Sequence, residues 1–317
     1  MRKTCLDMVY ELAKKDQRIF FIGSDLGVGT LKQFKAEMSN RFLMEGVSEA
    51  NVVGMAAGLA LEGKIVYVNT IATFLTRRCF EQVALDLCLH KANVRLIANG
   101  GGVVYAPLGP THEAIEDIAI FRALPRMTVI AVADAEEMKR MMPETVNHPG
   151  PIYIRLGKGG DPVVTNDRVP FKIGKAIPMK EGSDALIVST GIMLKAALDA
   201  SSALNAAGLS AAVLHVPTIK PFDQEAFLEL ARPAPVVVTV EEHSIIGGLG
   251  SVVAEVLAET DFDTPKRFRR IGLPDVFPDQ YGSQASLLKR YDVTAEKIAS
   301  VVQELSQNKP TGVASAL

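Results

Sequence analysis

Short runs rich in Val and Ile alternate with longer segments of helical periodicity along nearly the whole chain, and this alternation limits the fold more than any other feature. In the first half the runs are 18–22, 64–69, 94–98, 128–131 and 151–155. Helical patterns lie between them at 4–15, 49–61, 74–91, 113–124 and 135–147, with Asp134 a candidate N-cap and Gly63 a candidate stop. Strands too apolar to alternate, each followed by a helix, predict a mainly parallel, doubly wound α/β sheet covered on both faces. A turn-rich break, Gly-Lys-Gly-Gly-Asp-Pro from 157 to 162 and on to about 170, interrupts the pattern. It resumes with strands at 185–189, 210–215, 236–240 and 267–271 and helices at 193–207, 224–231, 251–259 and 294–307. Two domains are expected, at 1–165 and a smaller one at 171–307, followed by a polar tail (308–317) expected to be disordered.

Composition narrows the class. The 317 residues are 48% hydrophobic but only 6% aromatic, so the interior is aliphatic. A net charge of −2 with no basic run speaks against nucleic acid or an anionic membrane surface as a partner. Cys5, Cys79 and Cys88 make no CxxC pattern, and an odd number fits a reduced interior. Met1 leads straight into an amphipathic stretch, and the most apolar run, 52–61, is far short of a membrane span. The expectation is a soluble cytoplasmic protein.

In open parallel sheets ligands bind beyond the carboxyl ends of the strands. The unusual residues collect there: Asp25, the stretch 70–74, the stretch 99–112 and Arg155. Glu49 opens a helix, Glu-Ala-Asn-Val-Val-Gly-Met-Ala-Ala-Gly-Leu-Ala, that is small and apolar on every face and so reads as buried. A carboxylate there is costly unless partnered, the alternative being a first-turn Glu that reaches solvent.

The string Glu-Gly-Val-Ser-Glu49-Ala-Asn-Val-Val-Gly-Met-Ala-Ala-Gly resembles the pyrimidine-domain signature of transketolases and related thiamine-diphosphate enzymes. The resemblance implies that Glu49 hydrogen-bonds N1′ of the aminopyrimidine, favouring the tautomer that deprotonates the thiazolium. Phe74, in Thr-Ile-Ala-Thr-Phe-Leu-Thr-Arg-Arg, is similar to the family's ring-stacking phenylalanine; Phe80 either lines the same pocket or packs inside. Gly109-Pro-Thr-His112 resembles the loop whose histidine contacts sugar hydroxyls. Arg155 matches an arginine that grips substrate phosphate, Asp25 an aspartate near the cofactor, and Arg77, a candidate substrate ligand beside Arg155 and His112, is more like deoxyxylulose-phosphate synthases than common transketolases. Two departures put the usual sugars in doubt: Gly100 stands where relatives carry His or Arg, and Leu108 where many carry an acid. Glu241-Glu-His-Ser-Ile-Ile-Gly-Gly-Leu-Gly resembles the family's C-terminal domain; its spacing does not suit phosphate, and His243 reads as structural or interfacial.

The resemblance covers a pyrimidine-binding domain and a C-terminal domain but no diphosphate-binding domain, and the string Gly-Asp-Gly does not occur. It therefore implies one subunit of a split transketolase, moving a two-carbon ketol unit from a phosphorylated ketose to an aldose. A separate N-terminal subunit would hold Mg²⁺ and the diphosphate, in a 2+2 heterotetramer. Alternatives are a 2-oxo-acid dehydrogenase beta subunit, against which the absent double-histidine loop speaks, a deoxyxylulose-phosphate-synthase-like enzyme, and a non-catalytic scaffold paralogue.

Overall fold

The structure, a computed structural model, describes residues 1–24, 31–157, 159–166 and 169–307. Strands β1 (Ile19–Gly23), β2 (Phe42–Met44), β3 (Ile65–Ile71), β4 (Val94–Asn99), β5 (Thr128–Ala131) and β6 (Ile152–Leu156) belong to the first unit. The second carries β7 (Ile177–Lys180), β8 (Ala185–Ser189), β9 (Ala211–His215), β10 (Thr218–Lys220), β11 (Val236–Ser244) and β12 (Arg267–Leu273). One sheet runs β10-β5-β6-β4-β3-β1-β2 and the other β12-β11-β8-β9-β7. Both are parallel except at β10 and β7, which pair antiparallel with β5 and β9. The doubly wound α/β class follows as expected. The sequence gives no warning that β10, from the second unit, completes the first sheet.

Strands β3, β4 and β6 are buried along their whole length, which is why they read as uninterrupted apolar runs. One face of the first sheet packs Val66, Val68 and Leu96 against Val52, Val53 and Ala56 of the helix Glu49–Leu61. The other packs Phe21, Tyr67 and Ile97 against Leu6 and Val9 of the helix Arg2–Lys15 and Met138 and Met142 of the helix Ala135–Val146. Asp134 caps the latter helix, accepting from the Glu136 and Glu137 amides. The second sheet is likewise covered on both faces, by the helices Leu194–Ala206 and Ala295–Gln307 on one side and Gln224–Ala231 and Leu249–Ala258 on the other.

Three expectations are corrected. The continuous helix at 74–91 is broken into Ala72–Thr76, Phe80–Gln82 and a π-helical stretch, Val83–Leu89. The helix at 113–124 begins only at Asp117, because Ala114 is bonded in both directions to Gly102 and cannot enter a helix. The helix Glu49–Leu61 is not buried all round: Asn51, Gly58 and Leu61 are exposed, and a Cβ on Gly58 would meet nothing within 4 Å. Its glycines are thus not forced by close packing within this chain. The tail 308–317 lies outside the described residues.

Candidate active site

The site is built where β1, β3 and β4 end. Asn99 donates to the Asn69 side chain at 2.7 Å and to the Thr70 carbonyl at 2.9 Å, and Ser24 joins Thr70 through their hydroxyls at 2.7 Å. These bonds tie three strand ends together in a buried polar floor. From β3 the chain turns directly into the helix Ala72–Thr76, which presents Phe74.

Glu49 is 5% exposed, so its carboxylate needs a partner, and Arg78 supplies one: Nη1 lies 3.3 Å from Oε2. The same guanidinium lies over the Phe74 ring, 3.8 Å from its centroid. The His112 ring meets Phe74 edge-on at 5.3 Å, and its Nδ1 pairs with the Thr111 hydroxyl at 2.9 Å. Glu49, Phe74 and His112, far apart in sequence, are therefore brought into one cluster. Arg78 is the member that sequence reading missed. Its side chain reaches Phe74 from the turn that follows the helix Ala72–Thr76, a break that the continuous helix expected at 74–91 did not show.

Arg77, expected as a substrate ligand, faces elsewhere. Its fork is taken by the Glu116 carboxylate and by the carbonyls of Pro110 and Glu113, at 3.2 and 3.1 Å. It anchors both sides of the loop that carries His112. Phe80 is 38% exposed and Leu108 49% exposed, so neither is a core residue of this chain. Asp25 lies outside the described residues.

Arg155 departs from the expectation of a phosphate ligand. Its side chain is 7% exposed and paired with Asp117, Nε to Oδ2 at 2.7 Å, while Nη2 donates to the Glu242 carbonyl at 2.7 Å and the Ala114 carbonyl at 3.3 Å. Tyr153 donates to the same Asp117 oxygen at 2.7 Å. Two of the three guanidinium nitrogens, Nε and Nη2, are thus engaged in joining the two units. His243 sits in the same seam: Nε2 accepts from the Ala119 amide at 3.3 Å, leaving Nδ1 to donate to the Ser244 carbonyl at 2.7 Å, an interfacial role.

The glycine run at 100–102 has a packing cause. Gly100 has φ +76°, and a Cβ there would fall 2.1 Å from the Tyr105 ring; one on Gly101 would fall 2.5 Å from the Arg155 side chain, and one on Gly102 2.5 Å from the Glu242 carboxyl. The space expected to hold a relative's His or Arg at Gly100 is filled by Tyr105. Glu242 in turn accepts from the Val103 amide at 3.0 Å and from Gln284 at 2.9 Å, and burial lifts its carboxyl to about 7 against the pull of Arg155.

Among the described residues no three His, Cys, Asp or Glu side chains gather to hold a metal ion, and no helix is long and apolar enough to cross a membrane.

The profile of the transketolase pyrimidine binding domain matches residues 1–160 and that of the transketolase C-terminal domain residues 174–298. The chain is 37% identical over 310 residues to the 6-deoxy-6-sulfo-D-fructose transketolase subunit SqwH of Clostridium sp. (strain MSTE9), covering 98% of this chain and 95% of that one. It is 36% identical over 305 residues to an apulose-4-phosphate transketolase subunit of Phocaeicola vulgatus, covering 96% of each. A solved structure described as a split gene transketolase, inactive beta4 tetramer, superposes with a TM-score of 0.87 at 38% identity over 96% of this chain and 98% of that one. With both domain profiles matched and relatives of this identity aligned over nearly their full length, the chain belongs to the transketolase family, among the subunits of split transketolases.

Proposed function

We propose that this chain supplies the aminopyrimidine half of a thiamine-diphosphate site and, with a diphosphate-binding partner subunit, transfers a two-carbon ketol unit from a phosphorylated ketose to an aldose. The observation that carries the reading is the cluster of Glu49, Phe74 and His112. Its fit to the cofactor is tested by what the cluster already accepts: Arg78 sets a planar, N–H-bearing group against the Phe74 ring and within reach of the Glu49 carboxylate. A protonated aminopyrimidine has the same planarity and the same donor.

When bound, thiamine diphosphate supplies the electron sink for carbon–carbon cleavage. Glu49 would hold the proton at the ring nitrogen, in surroundings dry enough that water does not weaken the bond. Phe74 would fix the ring plane, and His112 would donate to a substrate hydroxyl. Arg77, bound to Glu116 and two loop carbonyls, would keep His112 at the mouth of the site.

Partner dependence has its own support. Relatives matching nearly their full length are called subunits. Apolar side chains on the Glu49 helix and on the π-helical stretch beside it also lie open, Leu61 at 62%, Leu85 at 48% and Leu89 at 61% exposure, as a surface awaiting another chain would. The test is calorimetric. The chain alone should bind thiamine diphosphate weakly and lack ketol-transfer activity. A Gly-Asp-Gly-bearing partner with Mg²⁺ should restore both at a one-to-one subunit ratio. Tight Mg²⁺-dependent binding by the lone chain would overturn the reading.

A further inference from the structure

We infer that Arg78 is a built-in competitor of the cofactor ring: it occupies the Phe74 face and the Glu49 carboxylate, and the aminopyrimidine must displace it. The inference rests on the cofactor role proposed for Glu49 and Phe74.

Two independent contacts place Arg78 there. The guanidinium carbon lies 3.8 Å from the Phe74 centroid, within stacking distance of the whole ring. Nη1 reaches Glu49 Oε2 at 3.3 Å, the carboxylate being 5% exposed and the arginine side chain 49%. One planar cation thus satisfies both groups that the proposed function assigns to the cofactor ring. A second flat ring cannot stack on the same face at van der Waals distance while the guanidinium stays, and it would have to share with Arg78 a carboxylate whose Oε2 is already in contact.

The contact has a physical use. Glu49 would otherwise be a buried carboxylate with no counter-charge, and half-solvated Arg78 neutralises it at modest cost. Because the arginine is half exposed, it can swing to water, carrying its charge back into solvent. Burial of the carboxylate and readiness to receive the cofactor are reconciled by one movable side chain. Arg77, the adjacent arginine, cannot do this, being held by Glu116 and the Pro110 and Glu113 carbonyls.

The sign of the effect separates competition from simple electrostatics. Removing a positive charge near an anionic cofactor ordinarily weakens its binding, whereas removing a competitor strengthens it. The experiment is a calorimetric titration of thiamine diphosphate with Mg²⁺ into the assembled two-chain complex carrying wild-type, Arg78→Lys or Arg78→Ala chain. Arg78→Ala is expected to bind about three- to thirtyfold more tightly, the range expected from losing one cation–π contact and one partly exposed ion pair. Arg78→Lys, which keeps the charge but not the plane, should fall between. Equal or weaker binding by Arg78→Ala overturns the inference while leaving the cofactor role of Glu49 standing. Failure of the wild-type complex to bind cofactor overturns that role and this inference together.

Discussion

Arg155 Nε donates to Asp117 Oδ2 at 2.7 Å in a seam that both units share, and the carboxylate is fully buried. A pair of this kind is costly to break, because removing one member strands the other charge in a dry environment. Arg155→Met should therefore lower unfolding free energy by about 3–5 kcal/mol, measured by denaturant titration. Phosphorylated and unphosphorylated donors should lose activity alike. A fully stable variant with a raised KM for phosphorylated donors alone would return Arg155 to the role its motif position first suggests.

That contrast shows what a sequence can carry. The central strands are legible because complete burial demands aliphatic residues throughout, as in β4 and β6. Glu49, Phe74 and His112 are legible through their motifs. The direction of Arg155 is not, since it depends on Asp117 and the Glu242 carbonyl, 38 and 87 positions away. Strand β10 is hidden for a similar reason: three residues, Thr218–Lys220, have no periodicity of their own and become a strand only beside β5. The glycines at 100–102 look like lost function in sequence and prove to be demanded by Tyr105, Arg155 and Glu242.

Glu49→Gln should keep the fold, since the amide preserves shape and still accepts from Arg78. It should nonetheless lose the ability to hold a proton at the cofactor ring. The C2 proton exchange rate of thiamine diphosphate in the assembled complex should fall by at least about a hundredfold, the lower end of what proton-transfer groups contribute. Exchange at the wild-type rate would remove Glu49 from the mechanism.

Glu113 supplies a pH test. It is 1% exposed and neither carboxyl oxygen has a hydrogen-bond partner among the described residues. Burial pushes its carboxyl from the ordinary 4.5 up to about 7, with Arg77 opposing. The folded chain therefore binds a proton that the unfolded chain has already released, and stability from this group is lost as pH rises from about 4.5 through about 7. Glu113→Gln cannot ionise. Its melting temperature relative to wild type should rise between pH 5 and pH 8, and a difference that stays flat across that range would contradict the assignment.

Gly100 offers the sharpest separation between a lost ligand and a packing requirement. If the glycine merely marked a discarded sugar contact, Gly100→His would restore a polar group to the channel at little structural cost. The geometry says otherwise on two counts. The backbone sits at φ +76°, a region side chains rarely adopt, and the first carbon of any side chain would fall 2.1 Å from the Tyr105 ring. Tyr105 is itself 8% exposed and has little room to retreat. Backbone strain and overpacking together should cost at least about 2 kcal/mol. Because Arg155 and Glu242 press on the next two glycines, displacement at 100 should also disturb the seam between the units. Gly100→Ala, which tests the backbone and the ring without adding a polar group, should be destabilised nearly as much. Pairing Gly100→Ala with Tyr105→Ala should recover the overpacking part but not the strain. Measured by denaturant titration, a Gly100→His chain as stable as wild type would mean that Tyr105 does not hold that space.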